Sequence, residues 1–268
     1  MRALIPALLF AVVIATPAIA QKLPNVQQTS VKAPANIKID GNLNEWNNQL
    51  QAFNKTDGLY YTISNDDKNL YLSLIAPNKD ACRKALRGGI TFSVVKVEKK
   101  NVYYDPLKKM IDFVLLKNDD RNELIKVMDK YLDKNNKNSD SLLAVINKKI
   151  GVLLKRFEIN GDDVPVYNDL NIVAGIRFNK NLDLVYELCV PLSYLDMDKD
   201  YAAPFTYTVC LSAHDEVVRR MMWKKPTPGS PFPPPPPMLK PGAIAPPPPP
   251  PDPRFTNTEF SAKYTLAK

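Results

Sequence analysis

The sequence predicts a mainly β fold, an antiparallel β-sandwich with an inserted α-helical hairpin and a proline-rich loop, and three observations predict it. Residues 59–64 and 69–74 are two runs rich in aromatic and branched side chains on either side of Asn65, Asp66, Asp67 and Lys68, strong turn chemistry that reads as a β-hairpin. Similar runs recur at 90–95, 182–190 and 205–213. The chain has 25 prolines but only 9 glycines, with the prolines crowded near the end, which fits a folded body carrying a proline-rich appendage better than disorder throughout.

From the start, residues 1–20 read as a secretory signal peptide: Arg2 gives the positive start, 4–16 the apolar stretch, and Ala18-Ile19-Ala20 a small-x-small cleavage site. The run is too short for a bilayer, which needs roughly 20 apolar residues, and no cysteine sits near the cleavage site to take a lipid. No later segment is apolar enough to span. The expectation is an exported protein, periplasmic or extracellular, with a linker at 21–35 and a single domain over 36–268.

Within that domain a short alternating strand at 37–40 leads into Gly41 and a turn bearing Trp46. In the hairpin, Leu70, Leu72 and Leu74 alternate with Tyr71 and Ser73, implying one buried and one wetter face. Gly88-Gly89 introduces the strand at 90–95. Apolar residues at helical spacing, Leu124, Val127, Met128 and Tyr131, then Leu142, Val145, Ile146, Ile150 and Leu153, predict a helical hairpin over about 122–153. Strand character resumes at 157–160 and 171–178, then in 182–190, ended by Pro191, and in 205–213. Residues 226–253 contain proline blocks that favour a stiff polyproline segment with no donors for a sheet. Phe260, Tyr264 and Leu266 among polar residues predict a last strand at 256–266, so the proline tract reads as a loop.

The formal net charge is +8, but the lysines are dispersed among aspartates and asparagines without a stripe or motif, so nucleic acid is not an expected partner. Of three cysteines, Cys189 and Cys210 fall in strands at alternating polar positions, which makes them candidates for a cross-strand disulfide if those strands pair; the alternative is three small packed side chains. A single histidine, His214, and no C-x-x-C give metal binding no support, and the acidic run 196–200 lacks the glycine and spacing of a calcium loop.

Ile39-Asp40-Gly41 with Glu45-Trp46, the hairpin ending in Asn69-Leu70-Tyr71-Leu72, the later Tyr186-Glu187-Leu188-Cys189-Val190-Pro191-Leu192 and the closing Tyr264-Thr265-Leu266-Ala267 are similar in kind and order to the family 9 carbohydrate-binding-module-like sandwich, an immunoglobulin-like jelly roll. More narrowly, the chain resembles uncharacterised exported bacterial members of that superfamily. The resemblance marks Asp40, Gly41 and Trp46 as a core motif. It also implies that true sugar binders of the family hold a chain-end sugar between two tryptophans and often carry structural calcium. Trp46 matches only the opening motif; Trp223, the other tryptophan, matches none.

Sugar binding needs flat apolar faces for pyranose C–H groups and polar side chains for the hydroxyls. The candidates are Trp223, Tyr60, Tyr61, Tyr103 and Tyr104. Catalysis lacks parts: there is no G-x-S-x-G, and His214, Asp215 and Glu216 are adjacent on a strand and so point to opposite faces. The reading is a non-catalytic binding protein without cofactor, with a polysaccharide as partner. The alternatives are a cell-envelope interaction protein using the proline-rich loop, and a hydrolase with an unrecognised carboxylate pair.

Overall fold

The computed structural model describes residues 22–47, 49–96, 108–114, 122–126, 129, 139–153, 156–159, 162–212 and 256–268. Two antiparallel sheets pack face to face. The first orders β1 (Ala52–Asn54), β2 (Leu59–Asn65), β3 (Asn69–Ala76), β9 (Leu184–Pro191) and β8 (Val173–Phe178) as β1-β2-β3-β9-β8. The second contains β4 (Ile90–Val95), β5 (Lys108–Val114), β6 (Arg156–Ile159), β7 (Asp162–Pro165), β10 (Phe205–Leu211) and β11 (Thr258–Tyr264) in the order β11-β10-β4-β5-β6-β7. The mainly β sandwich expected from the sequence is the fold observed.

The predicted hairpin forms as β2 and β3, with Asn65 opposite Leu70. Its turn is closed by the Asp66 carboxylate, which accepts from the backbone N–H groups of Lys68 (2.7 Å) and Asn69 (2.6 Å). Tyr61, Ile63, Leu72, Leu74, Tyr186 and Leu188 of the first sheet meet Phe92, Val94, Tyr207, Val209 and Phe260 of the second in one core. Tyr61 and Tyr207 share a hydrogen bond across it at 3.1 Å.

The helix α1 (Lys79–Gly88) carries the chain from β3 to β4. Asn78 caps it by accepting from the Ala81 N–H at 2.7 Å, and Gly89, at φ 90°, ends it. Ala81, Cys82, Ala85 and Leu86 form its buried stripe. The sequence reading missed α1, because the stripe is built of small side chains. It also missed β1, β5 and β7. In the expected helical hairpin, 122–126 is helical and α2 (Ser139–Leu153) forms, with Ile146 and Ile150 buried.

Several expectations are corrected. Residues 37–40 form no strand, because they cross the outer face of the first sheet instead of joining its edge. β3 has no wet face: Tyr71 and Ser73 are 4% and 1% exposed, the Tyr71 hydroxyl donating to Asp66 Oδ2 at 2.6 Å and Ser73 standing opposite Glu187 in register. The segments 182–190 and 205–213 do not pair; they form β9 and β10 in opposite sheets. Cys189 lies on the outer face of the first sheet and Cys210 on the outer face of the second, so the whole core separates them and no disulfide joins them. The expected linker at 21–35 is, over 22–35, a strip along the first sheet. Lys32 bridges to Asn65 in parallel, the Asn65 N–H donates to Val31 O (3.1 Å), and the Ala33 N–H donates to Asn65 O (2.9 Å).

Two primary amides cap edge backbone on the first sheet. Beyond the end of β1, Gln27 reads the Ile63 backbone as a strand would: Ile63 N–H donates to Gln27 Oε1 at 2.8 Å and Gln27 Nε2 donates to Ile63 O at 2.8 Å. At the other edge Asn147 of α2 does the same to Phe178, at 2.7 and 3.0 Å. Edge strands left unpaired recruit other chains, and each amide closes one such position, at Ile63 and at Phe178.

The last strand returns as expected: β11 pairs with β10 from Phe205 opposite Tyr264 to Leu211 opposite Thr258. Residues 1–20 and 226–253, to which the sequence assigned the signal peptide and the proline-rich loop, lie outside the described residues, as does His214. Among the described residues no helix is long and apolar enough to cross a membrane.

Gln27→Ala is expected to destabilise the protein by ~1–3 kcal/mol, because a buried donor and acceptor on Ile63 lose their partner. Urea denaturation compared with the parent chain measures it.

Candidate functional site

The outer face of the first sheet is where polar chemistry and exposed aromatic surface meet. Strand alternation and register place three rows of side chains on it. One row runs Phe53, Tyr60, Ile75, Val185, Arg177; the next Thr62, Ser73, Glu187, Gly175; the third Ser64, Tyr71, Cys189, Val173.

Over the middle row lies the segment 37–50. A Cβ on Gly175 would stand 2.6 Å from the Gly41 nitrogen and 2.9 Å from the Asp40 nitrogen, so the two backbones cross in contact and only glycine fits below. Gly41 takes φ 78°, a conformation in which L side chains are strained. The amides of this crossing meet no strand; Glu187 replaces one, its Oε2 accepting from Asp40 N–H at 3.2 Å and Gly41 N–H at 3.0 Å. Beyond the crossing, Leu43, Trp46 and Leu50 pack on Val185 as a second, smaller apolar cluster outside the main core. The core motif Asp40, Gly41 and Trp46 is therefore a cover on the sheet's outer face rather than a plug at one end of the sandwich.

Glu187 is 0% exposed, and burial, with the charges of Asp40 and Glu45 adding to it, pushes its carboxyl up to about 8, against the pull of the two amides. Among the described residues its Oε1 has no hydrogen-bond partner, nor has the buried Oγ of Ser73 opposite it in register. The sequence reading quoted Glu187 only as part of a motif. A single charged residue amid Tyr186, Leu188 and Val190, at a strand position where every neighbour is apolar, was the available signal.

Where this cover meets the sheet edge it leaves a groove of about 460 Å³. That is within the ~300–1,000 Å³ of small-ligand sites. Its apolar lining comes from Leu23, Leu50, Ile75 and Pro77, and its polar lining from Gln49, Gln51 and Asp183, with the Tyr60 ring on one side. Tyr60 is 37% exposed and is braced by Phe53, the ring centroids 4.6 Å apart and the planes tilted by 44°. Gln51 is held to β2 by its N–H, which donates to Tyr61 O (3.2 Å) and Thr62 Oγ1 (2.9 Å). The Asp183 carboxylate is fixed by Asn179, which donates from Nδ2 to Oδ2 at 2.9 Å.

Of the two candidate aromatics among the described residues, Tyr60 stands at this groove and Tyr61 does not. Tyr61 is 0% exposed, its hydroxyl accepting from Gln27 N–H at 3.1 Å and facing Tyr207, so it belongs to the core and reaches no ligand. Alternation explains the difference, since neighbours on β2 point to opposite faces. Trp223, Tyr103 and Tyr104 lie outside the described residues.

Among the described residues no group of three metal-ligating side chains is placed to hold an ion. The acidic run at 196–200 is drawn toward lysines instead, with Asp196 Oδ2 at 3.7 Å from Lys96 and 3.8 Å from Lys109.

Gly175→Ala is expected to lift the segment 37–50 from the sheet and to cost ~1–3 kcal/mol. Trp46 fluorescence and thermal unfolding together check it: a red-shifted emission with a lowered midpoint is the expected result.

Compared with protein-family models and with curated proteins, the chain matches none.

Proposed function

We propose that this is a non-catalytic, exported binding protein that takes a neutral saccharide in the groove beside Tyr60. The observation that carries the reading is the half-exposed, braced Tyr60 ring facing the same groove as two amides and a fixed carboxylate. A flat ring suits pyranose C–H faces, while Gln49, Gln51 and Asp183 suit hydroxyls, which donate and accept. Among the described residues no cation lines the groove, and Asp183 disfavours uronic acids, sulfates and phosphates, which points to an uncharged ligand even though the chain carries a net +8. The resemblance to the family 9 carbohydrate-binding-like sandwich points to the same ligand class, and an envelope or extracellular polysaccharide is the partner it implies.

Binding is a better reading than hydrolysis. Glycoside cleavage uses two carboxyl groups flanking the scissile bond, and among the described residues Asp183 is the one carboxylate lining the groove. Glu187 has the raised proton affinity of a general acid, but it is wholly buried beneath the segment 37–50.

A second reading, a protein-interaction role in the cell envelope, has one observation in its favour. Tyr167, Leu170 and Val173 are 96%, 40% and 42% exposed near the free end of the edge strand β8.

A glycan and polysaccharide array probed with the chain from Gln21 onward, with Tyr60→Ala alongside, tests the proposal. The expected result is retention of neutral polymers over uronate polymers, weakened at least about tenfold, or ~1.4 kcal/mol, by the substitution. Binding that Tyr60→Ala leaves intact would remove the groove from the account. Silence across the array would move the weight to the second reading.

A further inference from the structure

The crossing of the segment 37–50 over the first sheet is held by a group that titrates. We propose that Glu187 is a proton-operated latch, which with its proton bound holds the segment 37–50 down on the outer face of the first sheet and on losing it lets that segment lift.

The hydrogen-bond pattern fits a neutral carboxylic acid. Oε2 accepts from Asp40 N–H (3.2 Å) and Gly41 N–H (3.0 Å), which are donors that a protonated acid still satisfies through its carbonyl oxygen. Oε1 is buried without a partner among the described residues, and the residue directly opposite is Ser73, whose own buried hydroxyl has none among them either. Such opposed side chains have Cβ atoms ~4.5–5.5 Å apart, close enough for a hydroxyl to serve the acid's O–H. An ionised Glu187 keeps the two amides but places a buried charge beside two more negative groups.

Those two groups, Asp40 and Glu45, both belong to the segment being held. From the other sides, β3 offers Ser73 and β2 offers Thr62, neither charged, and β8 offers Gly175, which has no side chain. In the adjoining rows Arg177 is the one cation, its Cβ beneath Gly41, and Tyr71 and Cys189 are the titratable groups on the far side, both pushed up by burial. The segment also carries the cation Lys38, but the charges that act on Glu187 are those of Asp40 and Glu45, so ionisation repels the cover.

The carboxyl sits at about 8 with the segment closed and returns to the ordinary 4.5 once solvated. A value raised in the closed form means that closure binds a proton. The hold is complete below 4.5, weakens as pH rises toward 8, and changes no further above that. The same segment continues into Gln49, Leu50 and Gln51, so the latch reaches one wall of the groove.

Amide hydrogen exchange at Asp40 and Gly41, followed in the full chain from pH 5 to 9.5 and corrected for intrinsic base catalysis, tests the latch. The wild-type protection is expected to fall by about tenfold per pH unit up to pH ~8 and then to level off. Glu187→Gln, which keeps an acceptor for both amides and cannot ionise, is expected to give a flat profile. Identical profiles in the two chains would overturn the proposal. Should Glu187→Gln fail to fold, Glu45→Gln serves in its place: it removes a repelling charge and is expected to move the levelling-off to lower pH, and an unmoved profile would count against the latch. Carboxyl carbon NMR gives an independent reading, with a Glu187 midpoint near 8 expected and one below ~5 sinking the idea. None of these measurements contains a saccharide, so failure of the latch and failure of the ligand reading are separable.

Discussion

The arrangement on which the rest of this structure depends is a buried carboxyl group standing in for a missing strand. The segment 37–50 must cross β8 and β9 with two backbone N–H groups facing the sheet, and leaving them unpaired away from water would cost about 1–3 kcal/mol each. Glu187 supplies one oxygen to both. Because the crossing is fixed there, and because Gly175 lets the backbones touch, Leu43, Trp46 and Leu50 land on Val185 and make the outer face of the first sheet a second interior. On the second sheet, β10 keeps its alternation, with buried Phe205, Tyr207, Val209 and Leu211 between half-exposed Thr206, Thr208 and Cys210.

The same substitution of side chain for strand recurs at the sheet edges. Gln27 and Asn147 each offer one acceptor and one donor to a single edge residue, which is what a neighbouring strand would do. Asn65 works in three directions at the hairpin end, accepting from Tyr264 Oη (3.1 Å) and Ala267 N–H (2.7 Å) through its side chain and bonding the 31–33 backbone through its own. The N-terminal strip, the hairpin and the C-terminal residues are thereby tied at one end. Aromatic burial adds to this, with Tyr61 packed on Phe260 at 4.6 Å between ring centroids.

What was legible in the sequence is what period-two patterning and turn chemistry encode. The β2–β3 hairpin, β4, β9, β10 and β11 all carry runs of branched and aromatic residues, and each forms. Patterning is blind to what lies over a face, so Ser73 and Tyr71 read as wet although both are buried. It is blind to sheet membership too, so whether Cys189 and Cys210 could meet hung on a pairing of their strands that the fold does not make. The strand expected at 37–40 shows the limit in another form: its alternation is real, but its amides are answered by a carboxylate 147 and 146 positions away. Of the candidate site, Tyr60 was visible as an aromatic on a strand. Gln49, Gln51 and Asp183 were not, since they come from a connector and a strand entry that only the folded chain brings beside it.

That groove owes its existence to a mismatch between the cover and the sheet. The segment 37–50 runs out over Ile75 and Val185 and turns into β1 at the sheet edge, so Tyr60 and Phe53, in the same row but nearer that edge, are left uncovered. An aromatic ring at such a boundary is rigid because one side is packed and available because the other is not. Rigid aromatic surface is what a weakly hydrated ring face needs in order to gain from contact without first ordering its host. A buried acid that holds the cover and an exposed ring that the cover stops short of are therefore two results of one crossing.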